Sequence, residues 1–96
     1  MRPYEFMYII RPDLDEEATN NVVEKYSQLI TNNGGEVVSN NRWGKRRLAY
    51  EVKDFKEGIY MLVHFNGEPA TERELERVLK ISDDVIRYLI IRKDKD

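Results

Sequence analysis

At 96 residues the chain is long enough for one domain built around a thin two-layer core, and too short for a deep, walled-off active site. It has no cysteine and a single histidine, His64, which excludes disulfides, thiolate chemistry and Cys-ligated metal centres, and leaves a His-based triad or metal site short of partners. The net charge of −2 hides an uneven distribution, because Arg42, Lys45, Arg46, Arg47 and Lys53 are opposed in that stretch by Glu51 alone. No segment approaches the roughly 20 apolar residues of a membrane-spanning helix. These features predict a cytoplasmic, non-enzymatic domain without cofactor or metal.

Tyr4 to Ile10 is aromatic and β-branched and predicts a strand, with Tyr4, Phe6, Tyr8 and Ile10 on one side and Glu5, Met7 and Ile9 on the other. Arg11-Pro12-Asp13 stops it. Asp13 or Asp15 caps a helix whose apolar stripe is Ala18, Val22, Val23, Tyr26, Leu29 and Ile30, and Asn32-Asn33-Gly34-Gly35 ends it. Glu36–Ser39 and Arg46–Lys53 read as two halves of one strand, joined through Asn40–Gly44 as a bulge or a mobile loop. A turn over Asp54–Gly58, a strand over Ile59–Asn66 and a helix opened by Pro69, with Leu75, Val78 and Leu79 buried, follow. Ser82-Asp83-Asp84 turns the chain into a last strand, Val85–Arg92, and Lys93–Asp96 reads as a frayed tail.

The order β-α-β-β-α-β predicts an α+β, ferredoxin-like fold over residues 1–96 as a single domain. Its four-stranded antiparallel sheet has both helices on one face, because right-handed crossovers place them on the same side. The other face, carrying Met7, Ile9, Tyr60, Leu62, Leu89 and Ile91, is then uncovered and more apolar than a free surface warrants. Enzymatic readings fail on the residues. There is neither a dinucleotide-binding glycine motif nor a P-loop, Glu16-Glu17 and Asp83-Asp84 sit where capping and solvation explain them, and His64 is an isolated imidazole better suited to contact than to base catalysis.

The informative segment runs from Trp43 to Lys53. Alternation predicts Leu48, Tyr50 and Val52 toward the helices, as core, and Lys45, Arg47 and Ala49 on the opposite face. Arginines there suit phosphate, and Trp43 either stacks on a base or plugs the end of a hairpin.

The sequence resembles the bacterial small-subunit ribosomal protein six family. The resemblance spans nearly the whole chain, on Tyr4-Glu5, Ile10-Arg11-Pro12-Asp13-Leu14, Gly44-Lys45-Arg46-Arg47-Leu48-Ala49-Tyr50, Gly58-Ile59-Tyr60 and Val85-Ile86-Arg87-Tyr88-Leu89. Val52 stands where the family more usually has isoleucine. The resemblance implies a sheet ordered 4-1-3-2. It also implies a structural role in the small subunit, binding the central domain of its rRNA together with ribosomal protein eighteen, with no membrane and no small-molecule substrate. Candidate RNA contacts are Arg2, Lys45, Arg46, Arg47, Arg87 and Arg92, at sheet edges and strand ends. Candidate contacts to the protein partner are Trp43, Tyr60, Leu62, His64 and the free edge of the second strand, where backbone groups can pair with another chain. The alternative from another class is a homo-oligomeric regulatory domain of similar topology that binds a small ligand at its interface.

Overall fold

The computed structural model describes residues 1–94. It contains β1 (Arg2–Ile10), α1 (Glu16–Asn32), β2 (Glu36–Val52), β3 (Phe55–Gly67), α2 (Pro69–Lys80) and β4 (Val85–Arg92). The strands form one antiparallel sheet ordered β2-β3-β1-β4, the ferredoxin-like arrangement, with the helices on one face. Alternation along β1 sends Tyr4, Phe6, Tyr8 and Ile10 under the helices, where they meet Val22, Tyr26 and Ile30 of α1, Leu75 and Leu79 of α2, and Met61, Val63 and Phe65 of β3. Aromatic contacts knit this layer: Phe6 stacks on Tyr8 with ring centroids 4.6 Å apart, and Tyr4 stacks on Phe65, its direct cross-strand partner, at 5.0 Å.

The helix ends follow local chemistry. Asp15 caps α1, its carboxylate accepting from the Ala18 N–H at 2.8 Å, and Gly34 turns the chain away with φ of 83°. Thr71 is fully buried, and its hydroxyl accepts from the Glu68 N–H at 3.1 Å and donates to the Asn33 carbonyl at 2.7 Å, tying the start of α2 to the end of α1. The backbone N–H of Lys93 donates to the Pro3 carbonyl at 2.8 Å, anchoring the chain just beyond β4. Of the tail expected to fray, residues 93–96, the last two lie outside the described residues.

Of the two readings of Asn40–Gly44 the bulge holds: β2 is continuous over 17 residues, with irregularities that leave Val38 and Trp43 as extra residues opposite β3. The strand departs from the sequence expectation in two other ways. The turn is not Asp54–Gly58 but the two residues Lys53-Asp54, whose φ values of 49° and 68° are those of a tight hairpin turn joining Val52 to Phe55. Leu48 and Tyr50 are not core. Tyr50 is 60% exposed, Leu48 is half-buried, and both lie with Ala49 and Val52 against Met7, Ile9, Tyr60 and Arg87 on the side away from the helices. The cause is length. β1 pairs with β3 only as far as Ile10–Ile59, so the outer part of the β2–β3 hairpin has no helix to pack on and uses the open face of the sheet instead. Lys45 and Arg47, expected on the open face, consequently point to the helix side, opposite Ile59 and Glu57. Gly58 permits this folding-over: a Cβ there would strike Ile9 Cγ2 and stand 3.2 Å from the Ile10 carbonyl oxygen.

Candidate RNA and protein interface

Three of the four residues expected to meet a protein partner share one face, and the fourth stands at its margin. Tyr60, Leu62 and His64 alternate along the open side of β3, directly opposite Ile9, Met7 and Glu5 of β1. Trp43 stands at the free margin of β2 beside Gly44, which is opposite Tyr60. As a bulged residue it is turned out of the ladder and is 47% exposed. Leu89 and Ile91 extend the surface across β4 at 54% and 42% exposure. Of the six apolar residues expected there, only Ile9 is buried, beneath the Gly58 backbone and the hairpin tip.

The six candidate RNA contacts do not form one patch. Arg2 and Arg92 neighbour each other on the helix side of β1 and β4, and Arg92 Nε donates to Asp94 Oδ1 at 2.6 Å. Lys45 and Arg47 line the outer hairpin on the helix side, with Lys45 Nζ 3.8 Å from Glu57 Oε1 and Arg47 beside Pro12, Asp13 and Phe55. Arg46 and Arg87 lie on the open side, opposite Gly58 and Ile9. Among the described residues, Arg2, Arg46 and Arg47 have no carboxylate within 4.0 Å, whereas Lys45 and Arg92 do.

Arg87 is held differently. Its guanidinium lies 5.2 Å from the centroid of the Tyr50 ring and donates to the Tyr50 hydroxyl. That hydrogen bond, and then the electrostatic pull of the phenol, raise its pKa above the usual arginine value. Tyr50 was therefore missed as a residue of the open face. Its signal in the sequence, alternation with Leu48 and Val52, is the same signal that marks core. Arg42, counted with the basic stretch, is not free either: it donates to Glu16 at 2.8 Å and to Asn20 at 2.6 Å, fastening β2 to α1. The i, i+4 spacing of Glu16 and Asn20 on one helix face carries that hint.

No group of three or more potential metal ligands is present among the described residues, and no helix of the structure is long and apolar enough to cross a membrane.

Comparison with known proteins supplies the identity that geometry alone leaves open. The family model described as Ribosomal protein S6 matches residues 3–92. Small ribosomal subunit protein bS6 of Moorella thermoacetica is 60% identical over 96 residues, covering 100% of this chain and 98% of its own length. The bS6 protein of Heliobacterium modesticaldum is 57% identical over 95 residues, with 99% of both chains covered. The crystal structure of 30S ribosomal protein S6 from Thermotoga maritima superposes with a TM-score of 0.92 at 34% identity, covering 97% of this chain and 88% of that one. The C-terminal domain of the MgtC protein from Mycobacterium tuberculosis, at a TM-score of 0.63 and 16% identity, shares the fold alone. With matched length, matched fold and a family model spanning nearly every residue, the chain belongs to the ribosomal protein S6 family, non-enzymatic proteins of the small ribosomal subunit.

Proposed function

We propose that this chain acts as a single domain in the bacterial cytoplasm, binding the central domain of small-subunit rRNA jointly with ribosomal protein eighteen. The observation that carries this reading is the open sheet face. Tyr60, Leu62, Leu89 and Ile91, with Trp43 at the margin, make an apolar surface that a partner must cover. A chain of net charge −2 exerts little long-range pull on RNA, so a basic protein docked on that face supplies the missing positive field. Arg46, Arg47 and Arg2 have no carboxylate partner among the described residues and can engage phosphate directly. Lys45, Arg92 and Arg87 do so by exchanging Glu57, Asp94 and Tyr50 for phosphate oxygens. Family membership favours this reading over the oligomeric ligand-binding domain.

The test is titration of the rRNA fragment with this chain alone and then with saturating ribosomal protein eighteen, at one fixed salt concentration. The expected gain in affinity is about 5- to 150-fold, the range of a typical coupling between two binding events. Equal affinity in both titrations overturns the joint-binding reading.

A further inference from the structure

Glu5 is out of place by chemistry. It lies on β1, a strand paired on both sides, and its side chain shares the open face with Met7, Leu62, Leu89 and Ile91. Its direct cross-strand neighbours are His64 on β3 and Ile91 on β4. The carboxylate is only 24% exposed, yet its cation contacts are loose: Lys93 Nζ at 3.5 Å, from a side chain 50% exposed, and His64 Nε2 at 4.0 Å, from one 39% exposed. None of the hydrogen bonds among the described residues engages it.

We infer that Glu5 is the anionic anchor of the open face, and that the protein partner covering this face seats an arginine on it. The inference rests on the joint-binding reading and deepens it. A partly solvated carboxylate is tolerable on an exposed sheet, but a protein laid over Met7, Leu62, Leu89 and Ile91 strips the remaining water from it. An ionised carboxylate in an apolar interface is too costly to leave unpaired, so the covering surface must bring a cation. Lys93, beyond the end of β4, offers a single point charge, whereas a guanidinium meets both carboxylate oxygens at once. The sign of the whole molecule agrees, since an acidic chain complements a basic partner. Glu5 thereby sets specificity. A neutral or acidic protein that fits the same apolar surface leaves the carboxylate desolvated with only the loose contacts of Lys93 and His64, and is disfavoured for that reason.

The test measures binding of ribosomal protein eighteen to this chain without RNA, at low and moderate salt, for the wild type, Glu5→Gln, Glu5→Asp and Leu89→Ala. Glu5→Gln keeps the shape and removes the charge. It is expected to melt as the wild type does, to weaken binding about tenfold or more, and to flatten its salt dependence. Glu5→Asp, which keeps the charge but draws it back, is expected to fall in between. Leu89→Ala is expected to weaken binding while keeping the salt dependence. If Glu5→Gln binds like the wild type, or loses affinity with its salt dependence intact, while Leu89→Ala weakens binding, the anchor is overturned and the joint-binding reading stands. If the wild type itself does not bind, that reading falls and the anchor with it.

Discussion

The two faces of the sheet are made by the same strands, and on β1 by alternate residues of one nine-residue segment, yet they are built to different standards. Under the helices, Tyr4, Phe6, Tyr8 and Ile10 are shut away from water, and the three rings are locked by aromatic contacts at 4.6 to 6.2 Å. On the opposite side Met7 and Leu62 are half-buried, Leu89 and Ile91 are open, and a carboxylate sits among them. The helix face is finished within the chain. The open face is patched only at one end, where the hairpin tip lies over Ile9. The difference teaches that apolar content alone does not mark a core: one face is closed by its own chain, and the other is left for something else to close.

The largest effect expected from breaking this contrast is at Phe6. Phe6→Ala empties the centre of the closed face and should cost about 3–5 kcal/mol in denaturant melts, while Leu89→Ala on the open face should stay within about 0.5 kcal/mol. Similar losses at the two positions would erase the distinction. Leu48, on the hairpin tip, sharpens it. A half-buried leucine on the open side should cost about 1 kcal/mol when cut to alanine, a fraction of full burial, and a loss above about 3 kcal/mol would return it to the core. The smallest effect appears only in alkali. Burial pushes the Tyr8 phenol well above its usual range, with the nearby Tyr26 adding to the rise. The folded state therefore holds its proton where the unfolded chain releases it. The stability this represents is intact below a pH of about 10 and is lost as pH climbs above it. Tyr8→Phe should flatten the alkaline limb of a stability–pH curve, and an unchanged limb would show that another group governs it.

Most of the closed face was legible because β1 and the helices obey simple periods: every second residue in Tyr4–Ile10, and the Val22, Tyr26, Ile30 stripe. The resemblance of the Gly44–Tyr50 block identified the family. The outer half of β2 was not legible, for a physical reason. Period-two alternation says which residues share a side, never which side is covered, and Leu48, Tyr50 and Val52 are apolar enough to suit either. Only the extension of the hairpin past Ile10 decides between them, and that is a property of strand pairing absent from any one segment. The fold likewise divides the basic stretch. Charges adjacent in sequence part company in space, with Arg42 spent on α1, Lys45 beside Glu57 and Arg46 on the far side.

The bulges in β2 have a consequence for the chain before it meets any partner. A newly made copy presents an apolar sheet face and, at its margin, a strand of 17 residues with one row of unpaired backbone groups. Left straight, such a margin is a template on which identical chains zip together into aggregates. The extra residues at Val38 and Trp43 break the ladder so that only Ser39–Arg42 run in register between them. A second strand laid alongside loses its match after four residues. The same irregularity that makes Trp43 an extra residue thus works against edge-to-edge pairing of identical chains.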